Sequence, residues 1–203
     1  MRIGFWHPFG SHADESREEI LKRKSKEISE NGWTLWSFQY RTPESVKKWI
    51  KEIEILKPYK VLVFCSDSPK AKSPKSETGY LNEYQYPGES FWRPIPDKIE
   101  IPHPLGSKAV ATGFKVAKII SPIDYKKYDN NYEWFCTEDS QWRTDQVPTR
   151  PEYLIRPGGF KKLRKIRAIL ELDYPYIVHL QRNKTKNEPT IPGNLSPEGT
   201  PYA

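Results

Sequence analysis

The residues best suited to chemistry gather near the start of the chain. His7, His12, Asp14 and Glu15 fall close together just past a strand-like opening. Imidazoles beside carboxylates can ligate a metal or exchange protons. The spacing is loose, however, and Asp14 and Glu15 are equally well explained as charges favouring a helix N-terminus, so no metal and no cofactor is assigned. Ser66-Asp67-Ser68 directly follows an apolar run. In open parallel sheets ligands sit beyond the carboxyl ends of strands. Asp67 is therefore a candidate acid or base with His7 or His12, against the ordinary reading of a turn-forming aspartate. Neither cysteine is assigned as a nucleophile: Cys65 lies inside the apolar run, and Cys136 follows Trp134-Phe135 without an activating neighbour in sequence.

Two further sets suit a polyanion. Lys161, Lys162, Arg164, Lys165 and Arg167 form a run of one sign, and each can neutralise a phosphate. Trp6, Trp33, Trp36, Trp92, Trp134 and Trp142 stand at strand ends or in irregular stretches, where indoles can stack on a splayed base. The bland alternative is that tryptophans fill the core of a domain poor in aliphatics. The base-binding pocket expected from the sequence comprises Trp6, Trp36, Ser66, Asp67 and Trp92.

These residues need elements to hold them. Arg2–Phe9 reads as a first strand. Ser16 with Glu19 makes a capping box, and Asn31-Gly32 supplies the left-handed stop of a helix carrying Ile20, Leu21 and Ile28. Trp33–Tyr40 alternates, with Trp36, Phe38 and Tyr40 on one face. Thr42-Pro43 opens a second helix, in which Val46, Trp49, Ile50 and Ile53 keep helical spacing. Lys60–Cys65 predicts a strand buried on both faces. The first third is thus β-α-β-α-β. From 66 to 108 the pattern collapses into a long insertion in which Tyr80–Trp92 is expected to pack down and 66–76 to be the mobile part. Ala109–Ile120 predicts a long strand whose Gly113 marks a bulge or the close approach of another backbone or a ligand. Gly158-Gly159 then opens a predicted basic helix, with Phe160, Leu163, Ile166 and Ile169 or Leu170 at helical spacing, and Tyr176–Gln181 predicts a closing strand.

The chain has 203 residues, which suits one domain over 1–182 with a flexible, proline-containing tail over 183–203. Lys and Arg number 33 against 26 Asp and Glu, a net charge of +7, which favours DNA or RNA as a partner. No apolar run approaches a membrane span and no secretory leader is read, so a cytoplasmic location with no membrane partner is expected.

Three segments resemble the PUA-like superfamily, its EVE and ASCH branches in particular. They are Gly4-Phe5-Trp6, the strand Lys60–Cys65 ending in an SDSP turn, and ATGFKVAKIIS over 111–121. The late stretch PGGFKKLRKIRAILEL is similar to that family's helix near its closing strand. The resemblance implies a mixed sheet or partly closed β-barrel flanked by helices, with a pocket for a plain, modified or flipped base. The function expected is a nucleic-acid-binding module. The alternative is a small α/β enzyme acting on a nucleotide or nucleoside.

Overall fold

A computed structural model describes residues 2–38, 43–68, 74–105, 110–123, 132–136, 141–143, 148–150, 153–155 and 163–183. The chain opens with β1 (Arg2–Phe9), α1 (Arg17–Asn31), β2 (Thr34–Phe38), α2 (Pro43–Leu56) and β3 (Lys60–Asp67). Short pieces follow: β4 (Thr78–Tyr80), β5 (Glu83–Gln85), β6 (Arg93–Pro94) and β7 (Pro102–Pro104). Then come β8 (Val110–Ile120), β9 (Tyr132–Cys136), β10 (Gln141–Arg143), β11 (Pro148–Arg150), β12 (Tyr153–Ile155) and β13 (Leu163–Gln181).

The helix boundaries follow from local chemistry. Ser16 caps α1: its hydroxyl accepts from the Glu19 amide at 3.2 Å, and the Glu19 carboxylate accepts from the Ser16 amide at 2.8 Å. Gly32 ends the helix at φ 80°, its amide donating to Ile28 O. A side chain in that left-handed conformation would be strained, which is why glycine stands there. α2 starts at Pro43 and buries Val46, Trp49 and Ile53. The Thr42 cap lies outside the described residues.

β1 and β3 run parallel and in register, Arg2 beside Lys60 through Phe9 beside Asp67. Both are apolar on two faces, as central strands must be. Ile3, Phe5 and Phe9 join Val61, Val63 and Cys65 on one side, while Trp6 joins Leu62 and Phe64 on the other. The sheet order is β10-β9-β1-β3-β13, with β8 antiparallel to β13 and β2 antiparallel to β8. The sheet is therefore mixed. α2 lies against the first face, where Trp49 is 1% exposed between Phe5 and Phe38. Among the described residues the strands do not close into a barrel.

Two expectations need correction. The basic stretch is not a helix: Leu163–Arg167 opens the strand β13, which runs for 19 residues. Two-sided burial and a register shift between Ile166 and Ala168 produce the spacing that imitates a helix. The insertion is also more ordered than its composition indicates. Leu81, Tyr84, Ile95, Ile99 and Ile101 pack on Leu35, Val178 and Leu180, across the sheet from the α2 core. The anchors are mainly aliphatic, since Tyr80 and Phe91 are 46% and 53% exposed. At Gly113 the nearest approach is that of a side chain and not of the backbone or ligand expected: a Cβ there would come within 2.7 Å of Leu180 Cδ1, with Trp36 O at 3.4 Å. Residues 69–73, Lys161, Lys162 and 184–203 lie outside the described residues.

Candidate ligand site at the seam of the sheet

β1 and β2 both end in aromatic and polar residues, and the curved sheet brings these ends face to face. Phe9 meets Trp36 edge-on, ring centres 5.2 Å apart, and His7 meets Phe38 at 6.1 Å and Phe114 at 6.2 Å. Among the described strands β2 pairs with β8 alone. The contact between β1 and β2 is thus made by side chains, and it leaves a gap.

That gap is a cavity of about 80 Å³, several times the roughly 10–15 Å³ one water needs. Its walls come from His7–Gly10, the β2 residues Leu35–Phe38, the α1 residues Ile20, Arg23 and Lys24, and the segment Glu100–Pro104. His7, His12 and His103 all line it, three of the four histidines in the chain. His7 and His103 are buried; His12 is half-buried. His12 Nε2 lies 3.2 Å from Pro102 O, and since a carbonyl only accepts, that nitrogen carries the proton.

Local backbone chemistry presents His12. Ala13 and Asp14 have φ of 53° and 61°, and His12 and Glu15 exchange both backbone hydrogen bonds, at 3.1 and 3.0 Å. Two consecutive left-handed residues make a type I′ turn. An alanine held there stores strain of the kind found at functional sites.

The 100–104 wall is tied down by buried charge. Glu27, 2% exposed, accepts from Lys24 Nζ at 2.7 Å, from Arg23 at 3.0 Å, from the Thr34 hydroxyl and from the Glu100 amide at 3.2 Å. Lys24 Nζ also donates to Glu100 O at 2.7 Å. Arg23 reaches the same carbonyl at 3.0 Å and forks onto both oxygens of Glu15. Burial pushes the Lys24 ammonium down to about 8, against the pull of Glu27. Two cations facing two carboxylates leave this wall neutral. It suits an uncharged ring better than a bare anion.

Trp36 is the one residue of the expected pocket that lines this cavity. Trp6 lies on the opposite face of β1, its indole donating to Ser66 Oγ at 2.8 Å in a buried cluster with Leu62, Phe64, Ile166 and Ile169. Trp92 is half-buried in the segment between β5 and β6. Asp67 Oδ1 accepts from Arg17 at 2.7 Å and from Arg167 Nε at 2.6 Å. Burial alone would raise its carboxyl, but Arg167, then Arg17 and Lys165, hold it below the ordinary value. A carboxylate so held is a poor proton acceptor, which weakens its pairing with His7 or His12. Lys165 is exposed and Arg167 half-buried on β13; the Arg164 side chain lies outside what is described. His103, which the sequence reading left out, sits ninety-odd positions from its partners and shows itself only once β7 is placed.

A second hollow of about 660 Å³ lies between the end of α2, Tyr86-Pro87 and Tyr174–Tyr176, but it gathers no histidines. Among the described residues no three His, Cys, Asp or Glu side chains are grouped so as to hold a metal, and no helix is long and apolar enough to cross a membrane. The chain matches no family model, no curated protein and no solved structure.

Proposed function

We propose that the chain is a nucleic-acid-binding module that takes a single base, plain or modified, into the cavity between β1 and β2. The observation that carries this reading is the convergence of His7, His12 and His103 with Trp36 and Phe9 around one neutral-walled space. Aromatic faces stack on a base of any sequence, and imidazoles supply both donors and acceptors to its edge. The excess of positive charge on the chain as a whole supplies attraction to phosphates. The PUA-like reading draws support from the curved sheet whose strands β1 and β2 face each other across the cavity, with α1 and α2 alongside.

The test is quenching of tryptophan fluorescence by nucleosides and by short single- and double-stranded DNA and RNA, plain and base-modified. Micromolar quenching is expected, with Trp36→Phe removing most of the signal and His103→Ala weakening affinity at least tenfold. Binding that survives both substitutions unchanged would remove the cavity from the reading.

A second reading, a small α/β enzyme acting on a nucleotide or nucleoside, is favoured by the parallel register of β1 and β3. It brings the His7–His12 stretch and Asp67 to one carboxyl edge. Given the two arginines on Asp67, proton transfer would fall to the histidines. Turnover of a nucleotide that is lost in both His7→Asn and His12→Asn, with binding retained, would establish it in place of the binding module.

A further inference from the structure

The carboxyl edge of β1 and β3 carries a second polar cluster, separate from the cavity. Asp67 there is held by two guanidiniums that come from different elements, Arg17 from the first turn of α1 and Arg167 from β13. Both donate to the same oxygen, Oδ1. Lys165 is near enough to act on the same carboxylate. Three cations, Arg167, Arg17 and Lys165, thus act on one carboxylate. The side chains of Arg17, Asp67 and Arg167 are 30%, 29% and 31% exposed, so solvent and ligands reach them.

Arg167 is aimed there by a backbone device. β13 pairs Ile166 with Ser66 but Ala168 with Cys65, so Arg167 is the extra residue of a bulge. Bulges re-aim side chains in this way and recur next to binding sites. Asp67 in turn fixes the two guanidiniums at one point, which reduces the entropy a ligand must remove to use them together. A planar guanidinium matches a phosphate with paired N–H donors.

We infer that Arg17, Arg167 and Lys165, oriented by Asp67, form a phosphate seat that holds the phosphate adjoining the base in the cavity. The assignment rests on the base-binding reading for the source of the phosphate, not for the seat itself. The two sites share a border: Phe9 lines the cavity and is the register partner of Asp67, one strand spacing of about 5 Å away. Asp67 is a positioning residue here, touching the arginines and not the base.

The experiment compares nucleosides with their monophosphates, and adds inorganic phosphate as an independent probe, by calorimetry at low salt. Monophosphates are expected to bind at least tenfold more tightly than nucleosides. Arg17→Gln and Arg167→Gln, placed on different elements, are each expected to abolish that advantage and leave nucleoside affinity as it was. With an oligonucleotide, either substitution lowers the slope of log K against log salt by about 0.7–0.9. Asp67→Asn is expected to reduce the advantage while leaving both cations in place. Nucleosides that bind without any phosphate advantage, or an advantage untouched by both arginine variants, would overturn the seat and spare the base-binding reading. Inorganic phosphate that binds in an Arg17- and Arg167-dependent way, with nucleosides inert, would uphold the seat and sink the base-binding reading. Silence toward all probes overturns both.

Discussion

Lys24 provides the sharpest test of how the cavity wall is held. Its ammonium is buried, with a side-chain exposure of 5%, and donates to Glu27, to Glu100 O and, at 3.4 Å, to Thr34. The charged groups around it are Glu27, Arg23 and Glu15; burial outweighs the carboxylates and lowers the ammonium from 10.5 to about 8. Between those two values the unfolded chain keeps a proton that the folded chain has released. Stability must therefore rise with pH in that window, by at most about 1.4 kcal/mol per pH unit for one proton. From pH 7.5 to 9.5 the gain integrates to about 2 kcal/mol. Tyr84 and Tyr176, both raised above 10.0 by burial, act in the opposite sense at higher pH, so the comparison ends at 9.5. Lys24→Met keeps the aliphatic stem without the titration. Urea unfolding of both proteins across this range is expected to show the stability difference moving toward the wild type by about 2 kcal/mol. Parallel curves would refute the argument: they would mean that the three acceptors keep Lys24 charged, and that the wall is clamped by a permanent ion pair.

Gly113→Ala is expected to cost about 1–3 kcal/mol, because its Cβ would lie 2.7 Å from Leu180 Cδ1 and 3.4 Å from Trp36 O. In a Leu180→Val background that methyl is gone, and thermal melts should show the cost reduced; an equal cost in both backgrounds would place the strain elsewhere. The carboxyl of Asp67, held below 3.8 by its arginines against burial, contributes stability that is present above that value and is lost as pH falls through the folded pKa. Acid unfolding of the wild type and Asp67→Asn should therefore converge below pH 3.8, over a difference of at most about 1 kcal/mol for a pair this exposed.

The first third of the fold was legible because its signals are local. The Ser16–Glu19 box, Gly32 and Pro43 each act within one helical turn, and the alternation of Leu35, Trp36 and Phe38 reports two different burial environments directly. The insertion was legible only in that part of Tyr80–Trp92 packs down, through Leu81 and Tyr84; its elements were not. Its strands are two or three residues long, and their partners are remote: Asn82 N bonds Gln181 O, and Leu81 N bonds Ile101 O. A two-residue strand has no period to detect. The candidate site shares that difficulty. His7 and His12 could be grouped by proximity in the sequence, but His103 reaches the cavity only because Leu81, Ile95, Ile99 and Ile101 anchor the segment that leads to it. Trp6 and Trp36 look alike in the sequence and yet occupy opposite faces of the sheet, since each is assigned by its own strand's alternation.

The misreading of β13 and the aiming of Arg167 have one physical cause. A central strand buried on both faces loses the polar alternation that marks a strand, so only the spacing of its apolar residues remains to be read. In β13 even that is broken by the bulge. Ile166 and Ile169 enter the cluster with Trp6, whereas Ala168, Leu170 and Leu172 enter the cluster with Phe5. Regular alternation would place Ile166 and Ala168 on one face; the extra residue moves them to opposite faces and sets Ile166 and Ile169 three apart, the spacing of a helix. The same extra residue is Arg167, turned toward Asp67. A basic residue at a break in an otherwise apolar two-sided strand is thus the mark of the cationic cluster, whereas the sequence offered it as one of five phosphate-neutralising charges on a helix. If the bulge aims the guanidinium, deleting Arg167 should leave Ile166 beside Ser66 and Ala168 beside Cys65 as neighbours in a regular strand, each on the face it holds now, and should remove only the cation at Asp67. Urea unfolding of that deletion variant should stay close to the wild type, and a large loss of stability would mean that the strand itself needs the bulge. On that account the residue is constrained twice, by the backbone that must bulge and by the carboxylate that receives it.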